Sequence, residues 1–274
     1  MSKQPEGEMS SLPSSGRWAI VLGGSSGFGL AAVEKLARHG MHVASLYRET
    51  ALVERPVREQ YTRWAAAAGV KIIPFNINAL DTGARLQFLS EFKAAAGDVP
   101  CVRLLLHSIA RGNLKPLMGI DAASTLSKED IQLTGYAMST SMLDWARSLI
   151  EERLFLPDAR IIGLTSAGAH KYWESYAAVS IAKASLESLA TYMAVEMGKY
   201  GLRTNLIRAG ITATPSLKKI PGSKQLIEMS TSGNPLGRMT TAEDVANVIY
   251  LLCSEEAAWI NGSVIHVDGG EHCV

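Results

Sequence analysis

An apolar run, Arg17-Trp18-Ala19-Ile20-Val21-Leu22, leads directly into Gly23-Gly24-Ser25-Ser26-Gly27-Phe28-Gly29. Leu30, Val33, Leu36 and Ala37 then recur at helical spacing up to Gly40. The run is short and rich in β-formers, which predicts a buried strand. The 3.6-residue period after it predicts a helix. Strand, glycine loop and helix in that order constrain the fold more than any other feature of the chain. Gly23 suits a tight turn, Gly27 lets backbone approach a pyrophosphate, and Gly29 lets helix pack close on strand. The helix N-terminus offers amide donors and a positive dipole to phosphates. Gly23, Ser25, Ser26, Gly27, Phe28 and Gly29 are therefore candidate contacts for a dinucleotide.

The alternation continues along the chain. His42 to Tyr47 reads as a second strand that ends in Arg48. A carboxylate there suits the ribose 2′-hydroxyl of NAD, whereas a cation suits a 2′-phosphate. Arg48 accordingly favours NADPH over NADH; the competing reading is that it begins a solvated helix with Glu49. Thr50 to Ala68 reads as a helix with a break or kink at Pro56. Val70 to Ile77 is a third strand, and Asn76 and Ile77 at its end are candidates to meet an adenine ring. Asp81 to Gly97 is a helix capped by Asp81. Arg103 to His107 is a fourth strand, leading into Ser108-Ile109-Ala110. Ser127 to Leu154 reads as one long helix, capped by Ser127 with Asp130.

Arg160 to Thr165, Arg203 to Arg208 and Ser263 to Val267 complete the strands. Thr240-Thr241-Ala242-Glu243 is a capping-box start for a helix through Leu252. Ala209 to Ser223 has no clean period, and a loop of that length suits a functional lid. The pattern predicts an α/β fold: a single doubly wound, Rossmann-type parallel sheet with helices on both faces. Ligand would lie along the carboxyl ends of the strands.

Composition narrows the classes. Apolar residues make up 47%, enough for a large core and too many for disorder. A net charge of +1 implies no bulk attraction to nucleic acid or anionic membrane. No apolar run is long enough to span a bilayer. Cys101, Cys253 and Cys273 are scattered and odd in number, which argues for a reducing compartment rather than a disulfide framework. The histidines His39, His42, His170, His266 and His272 show no metal-ligand spacing with the cysteines, so no metal is expected. Residues 1–16 are polar and read as a flexible tail, and residues 17–274 as one domain.

The segment Tyr176-Ala177-Ala178-Val179-Ser180-Ile181-Ala182-Lys183 carries the chemistry. Seven residues are about two helical turns, so phenol and ammonium share a face, roughly 10 Å apart along the axis. A lysine near a tyrosine favours the phenolate and lets the tyrosine give a proton near neutral pH. Alone, the pair also fits a solvated helix face.

Taken together, the glycine loop, the strand-four sequence Leu106-His107-Ser108-Ile109-Ala110, the Tyr176/Lys183 helix and the closing Val267-Asp268-Gly269-Gly270 resemble the short-chain dehydrogenase/reductase family. The chain is most similar to its divergent branch, the enoyl-acyl-carrier-protein reductases, over Arg17 to Gly270. The common branch has three residues between tyrosine and lysine; here six intervene, and Val179 stands where its tyrosine would be. Ser166 stands where enoyl reductases often carry a second tyrosine.

The resemblance implies several roles. Tyr176, Lys183 and Ser166 would form the catalytic group. Lys183 would hold the nicotinamide ribose. Ser108, Ile109, Ala110, Gly210, Ile211, Thr212 and Thr214 would complete the cofactor contacts. Hydride from NADPH would reduce the C2–C3 double bond of a trans-2-enoyl thioester in fatty-acid synthesis, with a substrate loop at about 209–232. Lys218, Lys219 and Lys224 would meet an acyl carrier protein. A cytoplasmic homotetramer is expected. Two alternatives stay open: a reductase of another enone or ketone, and a non-catalytic NADPH-binding regulator.

Overall fold

The computed structural model describes residues 16–97 and 99–274. The expected tail, apart from Gly16, lies outside the described residues. The strands are β1 (Trp18–Leu22), β2 (His42–Tyr47), β3 (Ile72–Asn76), β4 (Val102–His107), β5 (Phe155–Thr165), β6 (Arg203–Ala209) and β7 (Val264–Val267). They form one seven-stranded sheet in the order β3-β2-β1-β4-β5-β6-β7, and every neighbouring pair is parallel.

Alternation in β1 shows how both faces are covered. Trp18, Ile20 and Leu22 join one core with Phe88, Phe92, Trp145 and Leu186. Ala19 and Val21 join the opposite core with Val33, Leu36, Val245 and Ile249. The first core is covered by α3 (Thr82–Ala96), α5 (Ser141–Glu151) and α6 (Ala177–Glu196). The second is covered by α1 (Gly27–Arg38), α2 (Ala51–Ala68) and α8 (Ala242–Leu252). A strand buried on both sides must be apolar throughout, and all five residues of β1 are buried.

Several expected boundaries shift. The long helix is two helices, α4 (Lys128–Gly135) and α5, joined by a π-turn at Tyr136–Thr140. Just after it, at the start of α5, Ser141 Oγ donates to Ala137 O and lies 2.8 Å from His107 Nε2, so the widened turn brings a hydroxyl to the end of β4. No proline or glycine pair in the sequence marks that spot as a break. Pro56 does not interrupt α2. It lies in the second turn on an exposed face, where the carbonyl it leaves unpaired reaches water. The capping box of α8 is Thr241 with Asp244, one residue later than expected. Asp81 caps α3 by accepting from Ala84 N, and Ser127 with Asp130 caps α4.

At the amino ends of the strands, away from the glycine loop, β4, β5 and β6 share one carboxylate. Asp158 Oδ1 lies 2.6 Å from Arg160 and 3.0 Å from Arg203, and Oδ2 lies 3.1 Å from Arg103. Arg103 and Arg160 are buried, and their remaining donors reach Cys253 O and Leu252 O at the end of α8. Burial would raise the Asp158 carboxyl, but the hydrogen bonds from Arg160 and Arg103 outweigh it and hold the group below its ordinary value. Asp158→Asn removes the charge those guanidinium groups share. The expected cost is about 2–3 kcal/mol in denaturant unfolding at pH 7, below the full buried-pair range because the carboxylate is part-exposed. A depressed carboxyl contributes stability above its unfolded pKa near 4 and loses it as pH falls through the folded value. The gap between wild type and variant should therefore close below about pH 4.

Candidate active site

The strand order reverses between β1 and β4, and the loops at their carboxyl ends part there. A cleft of roughly 410 Å³ opens at that point. Its walls include Gly23, Ser25, Ser26, Gly27 and Phe28 from the glycine loop, Arg48 and Ile77 from the ends of β2 and β3, Ser108, Ile109 and Ala110 after β4, and Thr214. These are eleven of the sequence-selected contacts, drawn from five separate segments. Gly23 has φ +93°, and a Cβ on it would stand 2.4 Å from Ser108 O. Gly29 sits beneath the loop, where a Cβ would meet Gly23 O at 2.1 Å. Both positions therefore exclude any side chain, and the space freed lies where a pyrophosphate would rest on the start of α1. Thr214 packs over Gly27, closing the cleft from the far side.

Asn76 is placed differently. Its carboxamide bonds the backbone of Glu49 at 3.0 Å in both directions and the Glu54 carboxylate at 2.9 Å. It thus ties β3 to the loop after β2, and Asn78 rather than Asn76 lines the cleft. Glu49, passed over as a site residue in the sequence, also lines the cleft and accepts from Ser25 Oγ at 2.8 Å. Its distance of twenty residues from Gly29 is the signal that could have found it.

The catalytic candidates gather at the ends of β4 and β5. Lys183 is buried in α6 and donates from Nζ to Leu164 O at 2.6 Å. Burial pushes its ammonium down to about 8. His107 is fully buried, and burial together with the Lys183 charge pushes it down to about 3, so it is neutral at physiological pH. Since Ser141 donates elsewhere, His107 Nε2 is the donor in their contact, and among the described residues Nδ1 has no partner. Tyr176 stands at the N-cap of α6, after Ser175 with φ +59°. Burial raises its phenol, and a hydrogen bond with Ser166 acts the other way. The lowering expected from Lys183 is absent: Ser166 alone opposes the effect of burial on the phenol. Ser166 also accepts from Gly168 N at 3.1 Å.

Gly210, Ile211 and Thr212 follow β6. Gly210 N donates to Val267 O at 3.0 Å, and Thr212 Oγ1 donates to Gly210 O at 3.0 Å. Ile211 N points to Glu271 Oε2, 3.3 Å away, which also accepts from Ser230 Oγ at 2.7 Å. Glu187 is a second overlooked residue. It accepts from Thr165 Oγ1 at 2.7 Å and from Arg208 at 2.9 Å, and lies 2.6 Å from His170. Its place four residues after Lys183 puts it on the same helix face, one turn on.

Gly168 packs on the Tyr176 ring, and a Cβ there would stand 2.5 Å from Cε1. Gly168→Ala should lower stability by about 1–3 kcal/mol through overpacking, read as a shift in the denaturant midpoint. An unchanged midpoint would mean that the ring is not held against the loop.

Comparison with known proteins bears on these residues. The profile of the family described as Enoyl-(Acyl carrier protein) reductase matches residues 23–272. The enoyl-[acyl-carrier-protein] reductase [NADH] FabI of Salmonella typhimurium is 30% identical over 260 residues, covering 93% of this chain and 94% of that protein. A probable 2,4-dienoyl-CoA reductase of Bacillus subtilis is 30% identical over 257 residues, covering 92% of this chain and 95% of that protein. The crystal structure of the enoyl-[acyl-carrier-protein] reductase (NADH) from Aquifex aeolicus aligns with a TM-score of 0.79 at 28% identity, covering 94% of this chain and 97% of that one.

The expectation of NADPH from Arg48 is corrected by these findings, since both enoyl reductases are named for NADH. The structure supplies a physical reason. Arg48 is exposed at the rim, whereas the neighbouring Glu49 carboxylate is fixed on the glycine loop, where it would repel a 2′-phosphate. The match begins in the glycine loop, ends in the turn after β7 and takes in every strand between, so the chain belongs to the enoyl-(acyl carrier protein) reductase family, within the short-chain dehydrogenases/reductases.

Proposed function

We propose that this protein reduces the C2–C3 double bond of trans-2-enoyl thioesters carried on acyl carrier protein, with NADH as hydride donor. The observation that carries the reading is the seven-residue step from Tyr176 to the buried Lys183, with buried Val179 where an ordinary ketone reductase has its acid. NADH, bound across the glycine loop, would supply the hydride to the β-carbon. Charge then builds on the thioester oxygen, and Tyr176 O–H is the donor assigned to it. Ser166 holds that hydroxyl in place, and Lys183 adds positive potential beneath it. The α-carbon then takes a proton from solvent, and saturated thioester leaves.

Residues 209–232 are the proposed acyl wall. Trp173 Nε1 anchors it by donating to Pro221 O at 2.8 Å, and α7 (Ser223–Gly233) presents Met229 outward. Lys218, Lys219 and Lys224 are exposed beside it, in position to meet an acidic carrier protein. Exposed Leu133, Ile181, Tyr192 and Val195 on α4 and α6 support a homotetramer packed on those helices. Cys101, Cys253 and Cys273 are free thiols, which supports a cytoplasmic setting. Among the described residues no helix is long and apolar enough to cross a membrane. A second reading, reduction of coenzyme A thioesters, rests on the similarity to the Bacillus protein.

The test is NADH oxidation with paired enoyl-carrier-protein and enoyl-CoA substrates. Turnover with the carrier-protein form, lost at least 10²-fold in Tyr176→Phe with nucleotide binding retained, is the expected result. Full activity in that variant would remove Tyr176 from the reaction, and binding without turnover of any enone would favour a regulator. For the cofactor, Glu49→Ala should narrow the preference for NADH over NADPH by about tenfold (~1.4 kcal/mol), measured as a ratio of kcat/KM values. An unchanged ratio would show that Glu49 plays no part in selection.

A further inference from the structure

Past the reductase site, the last strand and the turn after it bring together three side chains that the proposed reaction does not use. His266 lies near the end of β7, Asp268 just beyond it, and His272 in the short turn Glu271–Cys273. One donor atom from each lies within 4.8 Å of the other two. We propose that His266, Asp268 and His272 form a binding site for a divalent transition-metal ion of the zinc type.

The geometry supports a site rather than a chance grouping. The two imidazoles touch, with centroids 3.8 Å apart and planes at 67°. His272 Nδ1 lies 2.7 Å from Asp268 Oδ2. Asp268 is buried, and its carboxylate accepts from Gly270 N at 3.0 Å and His272 N at 3.2 Å, so backbone fixes it before any ion arrives. Both histidines are exposed, which leaves an entry path. Ligands around a tetrahedral ion with bonds near 2.0 Å stand about 3.3 Å apart. Small side-chain rotations would bring the present separations, from 2.7 Å up to at most 4.8 Å, to that value.

The donor chemistry selects the ion. Two imidazoles and one carboxylate suit zinc and its neighbours rather than magnesium or calcium, which prefer oxygen ligands. The ion would also act at a distance. It would pin the turn whose Glu271 accepts from Ser230 of α7, bracing the wall proposed for the acyl chain.

The experiment is calorimetric titration of the full-length, tag-free protein with Zn²⁺. A Cys273→Ser background keeps the exposed thiol, 3.4 Å from His272 Nε2, from supplying a ligand. One saturable site per chain is expected, weakened at least tenfold in His266→Asn and in His272→Asn, unaffected by His39→Ala and uncontested by excess Mg²⁺. Thermal unfolding of each variant without metal checks that it folds, and Zn²⁺ should raise the melting temperature of the Cys273→Ser and His39→Ala proteins but not of His266→Asn or His272→Asn. No saturable binding, equal binding in the two histidine variants, loss of binding in the Cys273→Ser background, competition by Mg²⁺ or an equal loss in His39→Ala would each overturn the assignment. These outcomes are independent of enoyl reduction.

Discussion

Everything functional in this molecule depends on how closely the backbone turns at the end of β1. Gly23 N and Gly24 N both donate to Leu46 O, and Ser108 N donates to Leu22 O. β1 is thereby stitched to β2 on one side and β4 on the other. The chain leaves the sheet where the strand order reverses, with no room for a Cβ at Gly23 or Gly29. Neighbouring loops part above this point, and the cleft is the gap between them. The same stitching orients α1 so that its unpaired amides face the gap.

A few ionisable groups near the cleft set its electrostatics, and burial shapes each of them. Desolvation pushes Lys183 down to about 8, which still leaves it mainly charged near pH 7, and that charge together with burial keeps His107 neutral beside it. Tyr176 remains a protonated donor, steadied by Ser166 and wedged against Gly168. A tyrosine that keeps its proton until charge appears on the substrate oxygen would suit the proposed enolate stabilisation, where the interaction grows along the reaction. The three arginines around Asp158 lie at the other end of the strands and stiffen the edges on which this arrangement rests.

Much of this was legible in the residues, because local rules dominate where strands are buried on both faces. Apolar runs, glycine punctuation and the caps at Asp81 and Ser127 placed the strands and most helices within a few positions. The position of the cleft was legible for a similar reason: in such sheets the loops part at the carboxyl ends of the strands, where the glycine loop and Ser108 to Ala110 lie. The reading failed where the deciding contact was distant in sequence. The π-turn at Tyr136–Thr140 shows itself only through the meeting of Ser141 with His107. Asn76 is held by Glu49 and Glu54 across the gap between β3 and the loop after β2. Arg48 looked decisive on its own, yet Glu49 beside it is the side chain that reaches the glycine loop.

The sequence by itself determined the parallel α/β sheet, the glycine cradle and the two-turn step between Tyr176 and Lys183, since each follows from periodicity or spacing within one segment. Only the tertiary structure decided which ionisable groups are buried, which carboxylate faces the cleft at the strand ends, and that His266, Asp268 and His272 converge. Desolvation and convergence arise from packing between segments, and no single stretch of chain encodes them.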